Sequence, residues 1–211
     1  YWGNNIQNTG PFDSSSNWYW ASAGKTLTAF LVGIAKDNGI LSLEDSSSIF
    51  LGNGWTSLEE SQESLIKIKH HLTMTTGLDY LVDNLNCTDP NCLTYKNTPG
   101  TNWFYHNATY SLLKDVIENT SETTYNDFTN QKVKMKIGMG GSWIQSNYSN
   151  IYWSTARDMA RFGLLILNEG VWDNQVILSD TNYFSNMVNT SQQMNESYGY
   201  LWWLNGKDSL I

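Results

Sequence analysis

A serine hydroxyl becomes an effective nucleophile only when a neighbouring base can take its proton. One arrangement that meets this need places Ser at a helix N-terminus with Lys three residues later. Both side chains then lie on one helix face, a turn apart, and the positive end of the helix dipole favours a developing oxyanion. The chain holds three such triplets, Ser22/Lys25, Ser64/Lys67 and Ser111/Lys114. The spacing alone carries little information, so the surroundings must separate them. Ser111 falls inside a helical pattern, where its hydroxyl can bond a backbone carbonyl and no dipole end is near. Ser64 sits near the start of a short expected helix, but Lys67 and Lys69 read as solvated charges. Only Ser22 combines a helix entrance with small neighbours, Ala23 and Gly24, that leave a hydroxyl approachable.

A second functional element would be a Tyr and an Asn two residues apart on an ordered loop. The phenol can shuttle a proton, and the amide can bind substrate and the lysine amine. Tyr95/Asn97, Tyr105/Asn107 and Tyr148/Asn150 all have this spacing. Tyr105-His106-Asn107 follows the turn Pro99-Gly100-Thr101 and feeds into a helical pattern, which places Asn107 at a helix entrance. The other two pairs read as parts of flexible loops.

Several elements must position these groups. Leu27, Phe30, Leu31 and Ile34 form an apolar stripe at helical spacing, and Asn38-Gly39 supplies a left-handed stop. A short helix is predicted around 65–75, closed by Gly77, and residues 79–104 read as a long loop. Tyr110, Leu113, Val116 and Ile117 start another helix. A further one runs over 156–168, with Thr155 as cap, Asp158 three residues on and Gly170 at its end. Residues 171–178 suggest a small hairpin around Asp173-Asn174, and Ser179 is placed to cap one more helix. Few strands are visible.

Taken together, these segments resemble the class C β-lactamase-like serine hydrolases and their penicillin-binding and esterase relatives. Trp20-Ala21-Ser22-Ala23-Gly24-Lys25-Thr26 is similar to the family's nucleophile helix. Leu72-Thr73-Met74-Thr75-Thr76-Gly77-Leu78 looks like the segment ahead of its active-site loop. Phe104-Tyr105-His106-Asn107 resembles its Tyr-x-Asn element. Gly138-Met139 and Ser154-Thr155-Ala156-Arg157-Asp158-Met159-Ala160-Arg161-Phe162 resemble the region that follows. Tyr198-Gly199-Tyr200-Leu201-Trp202-Trp203 is similar to the approach to the last motif. The order is the family's, over nearly the whole chain. The resemblance implies an α/β (α+β) fold of the β-lactamase/transpeptidase type, an antiparallel sheet flanked by helices beside a helical subdomain, with this chain supplying mainly the helical part. It also implies that Ser22 is acylated, that Lys25 and Tyr105 share the acid–base work, and that Asn107 holds substrate. The family's third motif, a Lys or His, a small residue and Gly on an edge strand, supplies a second oxyanion donor. Lys136-Ile137-Gly138 has the letters but comes too early in the order. We therefore expect residues 1–211 to form a single partial domain, cut at both ends, with that motif beyond Ile211.

Composition narrows the alternatives. Hydrophobic residues make up 40% and charged residues 15% of the 211, as in a folded domain. Ten Trp and twelve Tyr suggest aromatic-lined surfaces or an aromatic core. A net charge of −8 without any basic run argues against nucleic acid as a partner. No membrane span is expected, and the expected partner is a small-molecule or peptide substrate. No cofactor is implied. His70-His71 lack further ligands at metal-site spacing, so no metal site is expected either. These two histidines read as helix-surface or packing residues, and His106 as pointing away from Tyr105 and Asn107. A Ser-His-Asp reading fails because Gly140-Gly141-Ser142-Trp143-Ile144 breaks the nucleophile-elbow pattern at its last position. Cys87 and Cys92 bracket Thr-Asp-Pro-Asn and are candidates for a local disulfide, hence a periplasmic or secreted setting. Several Asn-x-Ser/Thr sequons occur, one at Asn107, where a glycan would block the site. A bacterial, unglycosylated source is therefore expected. The competing hypothesis from another class is a non-catalytic peptidoglycan- or peptide-binding module or sensor on the same fold. Intact Ser22, Lys25, Tyr105 and Asn107 argue against it.

Overall fold

The computed structural model describes residues 13–205. After a short strand β1 (Trp18–Tyr19) and a 3-10 turn over Ala21–Ala23, the apolar stripe folds as α1 (Gly24–Asp37). Eleven of its fourteen residues are buried. Its end is set by Asn38, whose side-chain amide donates to the Ile34 carbonyl, and by Gly39 in the left-handed region.

Three short helices follow: α2 (Ser48–Leu51), α3 (Glu60–Glu63) and α4 (Ile68–Leu72). The expected helix over 65–75 is thus only a turn and a half long. Ser64 lies at the C-terminal end of α3 and not at a helix start. The loops between these helices are stapled by Glu63, a buried carboxylate. It accepts from the Gly54 and Thr56 amides at 2.9 and 2.8 Å and from the Ser48 and Thr56 hydroxyls at 3.2 and 2.6 Å. His71 is a core residue and not a surface one. It is wholly buried between the Ser47 hydroxyl (2.8 Å) and the Thr109 carbonyl (2.7 Å), and burial lowers its pKa to about 4.

Residues 79–104 contain only a 3-10 turn, Pro90–Cys92, and lead into α5 (Asn107–Ser121). What fixes this loop is a clamp around Gly77. Its carbonyl accepts from the Lys96 and Asn97 amides, while Gly100 and Phe104 donate to Thr75 and Met74. Gly77 has φ +77°, and a Cβ there would lie 2.1 Å from the Asn97 carbonyl oxygen, so no other residue fits. Cys87 and Cys92 are joined by a disulfide.

Helices α6 (Tyr125–Thr129) and α7 (Met135–Ile137) are joined by a π-helical turn over Asn130–Lys134. Gly138, left-handed at φ +65°, ends α7, so Lys136-Ile137-Gly138 is a helix terminus. Strands β2 (Ser142–Ser146) and β3 (Ser149–Ser154) then form a hairpin, and β1 adds to β3 to give an antiparallel sheet of order β1-β3-β2. Asn150 therefore lies on a strand, buried, and not in a flexible loop. Helix α8 (Ala156–Leu167) carries the expected Thr155/Asp158 capping box. Strands β4 (Val171–Trp172) and β5 (Gln175–Val176) form the expected hairpin, with Asp173 and Asn174 both left-handed. The cap of α9 (Thr181–Met187) is Asp180, which accepts from the Tyr183 amide. Ser179 instead donates its hydroxyl to the Asp37 carboxylate.

The core gathers around α1. Phe30 meets Phe162 of α8, Gly33 lies against the Tyr183 ring of α9, and Trp143 of β2 faces Gly24. Trp20 packs edge-on against Tyr152 and donates its indole N–H to Ser154 at 2.7 Å, tying the approach to α1 onto the sheet.

Candidate active site

The sheet delivers the chain from β1 to α1 through one unusual residue. Ala21 has φ +46°, a conformation that costs an L-residue about 1 kcal/mol or more. It turns the backbone so that Ser22 emerges exposed from the 3-10 turn ahead of α1. Lys25, one turn on, is 5% exposed, and its Nζ donates to Ser22 Oγ at 3.3 Å. Among the described residues no carboxylate forms an ion pair with Lys25. Burial disfavours its charged form and lowers its pKa to about 8. Two aromatic faces lie against the amine: the Tyr105 ring, 4.9 Å from Nζ to its centroid, and the Tyr110 ring at 4.3 Å.

Tyr105 reaches the same point from the loop clamped by Gly77. Burial raises the pKa of its phenol, opposed by the Ser22 hydroxyl and the Trp203 side chain, both of which favour the phenolate. Its ring stacks on Trp203 at 5.6 Å and meets Tyr198 edge-on at 6.1 Å. Asn107 opens α5, and its Oδ1 is buried with no hydrogen-bond partner among the described residues. An unpaired buried acceptor costs on the order of 1–3 kcal/mol. The intervening His106 turns the other way, with Nε2 at 3.2 Å from the Asp79 carbonyl oxygen. Ser22, Lys25 and Tyr105 are thus brought together from two separate elements, and Asn107 follows Tyr105 at the start of α5.

The beta-lactamase family profile matches residues 1–210. The chain belongs to the beta-lactamase family. Solved structures agree with the family on fold. A candidate beta-lactamase from Bacteroides dorei DSM 17855 superposes with a TM-score of 0.75 at 20% identity, over 92% of this chain and 68% of that one. The penicillin binding protein from Bacillus halodurans gives 0.73 at 18% identity, over 98% and 76%. A candidate 6-aminohexanoate-dimer hydrolase from Bacillus anthracis gives 0.75 at 17%, over 94% of this chain and 61% of its own. A search of curated proteins finds no match.

Within this beta-lactamase-family fold the other triplets have different surroundings. Ser111 donates to the Asn107 carbonyl, while Lys114 is held by Glu118 and Asp115. Ser64 donates to the Ser61 carbonyl, and Lys67 and Lys69 both bind Glu44. Tyr148 is tied to Asp89 within the disulfide ring, at 2.5 Å. No group of three or more His, Cys, Asp or Glu among the described residues is placed to hold a metal ion. No helix among them is long and apolar enough to cross a membrane.

Three residues at the site are not singled out by sequence reasoning. Tyr110 reads only as one position of an apolar helical stripe, and Trp203 only as part of an aromatic run. Ala21 gives no signal, because alanine rarely marks a left-handed backbone.

Proposed function

We propose that this beta-lactamase-family chain is a serine hydrolase working through an acyl-serine intermediate. The observation that supports this reading most is the pairing of an exposed Ser22 hydroxyl with a buried lysine that has no carboxylate partner among the described residues. A base with a pKa of about 8 is neutral in roughly one molecule in ten at pH 7, whereas an ordinary lysine is almost never neutral there. In this reading Ser22 Oγ attacks the substrate carbonyl and Lys25 Nζ takes its proton. The new Oγ–C bond forms, the bond to the leaving group breaks, and the proton passes through Tyr105 to that group. Water then adds to the acyl carbon by the reverse proton route, releases the acid and restores Ser22. The open acceptor on Asn107 suits a substrate N–H, and the Ser22 amide at the head of α1 is one donor for the oxyanion.

The substrate is a carboxylic ester or a D-amino peptide, with a β-lactam as the second choice; all three pass through the same acyl-serine step. The Cys87–Cys92 disulfide supports a periplasmic or secreted setting. A fluorophosphonate probe followed by mass spectrometry tests the assignment. Labelling at Ser22 that disappears in Ser22→Ala is expected. Labelling at another serine would overturn the site, and no labelling at all would favour a binding module.

A further inference from the structure

The amine of Lys25 lies between two rings, and only Tyr105 belongs to the acid–base proposal above. We propose that Tyr110 is a positioning residue for Lys25: its ring is the second wall of an aromatic cage that holds the amine against Ser22 without a counter-ion.

The geometry is specific. Tyr110 is the closer of the two rings, with Nζ 4.3 Å from its centroid. It stands on α5 three residues after Asn107, so both fall on one helix face. Its hydroxyl is not available to the lysine as a partner, because it donates to the Asn150 carbonyl on β3 at 3.1 Å. That bond fixes the ring plane and makes β3 the backstop of the cage. Burial also raises the phenol's pKa, so it stays neutral wherever the lysine titrates. What it offers Nζ is therefore the negative face of a neutral ring.

Few other groups can compensate. Ser22 faces the amine from the 3-10 turn and Tyr105 from the clamped loop, with Trp203 and Tyr198 behind that ring. On α1 itself Thr28 accepts from the Tyr125 hydroxyl of α6, and from β2 Trp143 packs on Gly24. The α5 carboxylates Asp115 and Glu118 are engaged by Lys114. Burial pushes the amine towards its neutral form, and the rings oppose it. A lysine balanced this way keeps its side chain in place in both protonation states. An ion-paired one would be locked as the ammonium.

This inference rests on Lys25 being the base, yet its test does not require turnover. The Lys25 side-chain carbon is followed by NMR with 13Cε-lysine labelling, its resonance identified by its loss in Lys25→Gln. Tyr110→Phe removes the hydroxyl and keeps the ring. Mono-, di- and trifluorinated phenylalanine at the same position then weaken the ring face at nearly constant shape. The titration midpoint should fall step by step along the series, by about 0.5 to 1 pH unit in all. A midpoint that stays fixed across it would overturn the cage, whatever happens to the rate. Fluorophosphonate labelling of the same proteins reports separately on the acyl-serine reading. A wild type that fails to label while the midpoint is graded along the series would sink that reading and leave the cage intact.

Discussion

The entrance to α1 and helix α5 each hold a serine with a lysine three residues later, and the structure makes opposite use of them. On α1 the lysine is buried, lacks a carboxylate partner among the described residues, and reaches its serine at 3.3 Å. On α5 the serine is turned into its own helix, and the lysine is held at 2.6 Å by Glu118 and 3.1 Å by Asp115. The electrostatics follow. Burial lowers the Lys25 pKa to about 8. At Lys114 burial also pulls down, but Glu118 and Asp115 outweigh it and the pKa rises. Spacing puts the two groups on one face; desolvation without a counter-charge is what lowers the lysine's pKa.

The sharpest way to break this contrast is to delete both hydroxyls. Ser22→Ala should reduce fluorophosphonate labelling at least about a thousandfold, whereas Ser111→Ala leaves the rate within about twofold. Equal effects would end the distinction.

Next comes the cost of each lysine to the fold. Lys25→Met removes a buried charge and should stabilise the protein at pH 7, by on the order of 2 kcal/mol in urea unfolding, while abolishing labelling. Folded Lys25 gives up its proton near pH 8, whereas the unfolded chain holds it to about 10.5. Between those values unfolding takes up a proton, so wild-type stability rises with pH relative to Lys25→Met. The gap should therefore close across that window. Lys114→Met should instead lose a few tenths of a kcal/mol, because its ion pairs are part-exposed.

The pH dependence of labelling is a finer instrument. The wild-type rate should climb to a plateau through a midpoint near 8, following the neutral form of Lys25. A midpoint above 10 would mean that the amine behaves like Lys114. Smallest of all, Glu118→Gln should lower the Lys114 midpoint in a lysine NMR titration and change stability by less than about 0.5 kcal/mol, while Lys25 stays where it was.

Where sequence and structure agree, the signal is local. The α1 stripe, the Thr155/Asp158 box and the Asp173-Asn174 turn are each decided by neighbours in the chain. The α1 and α5 entrances are legible in the same way, and they are the reason the Ser22/Lys25 and Tyr105/Asn107 pairs are the ones proposed. What escapes is set by distant contacts. The β2–β3 hairpin looks like a polar loop because its turn is Asn147-Tyr148 and only part of one face is buried. His71 reads as either a helix-surface or a packing residue, and only Ser47 and Thr109, closing on it from 24 and 38 residues away, decide for packing. Tyr110 counts as one more apolar position until α1 places an amine over its ring.

Eleven of the fourteen residues of α1 are buried, so the helix that carries Lys25 is also the axis of the core. Its amides have no cheap local opening through which to meet solvent; they should exchange with deuterium only when the whole domain unfolds. The same holds for the spatial relation between Ser22 and its lysine. A variant destabilised by a change away from the site should keep that geometry while it folds, and lose function in proportion to the unfolded fraction and not before.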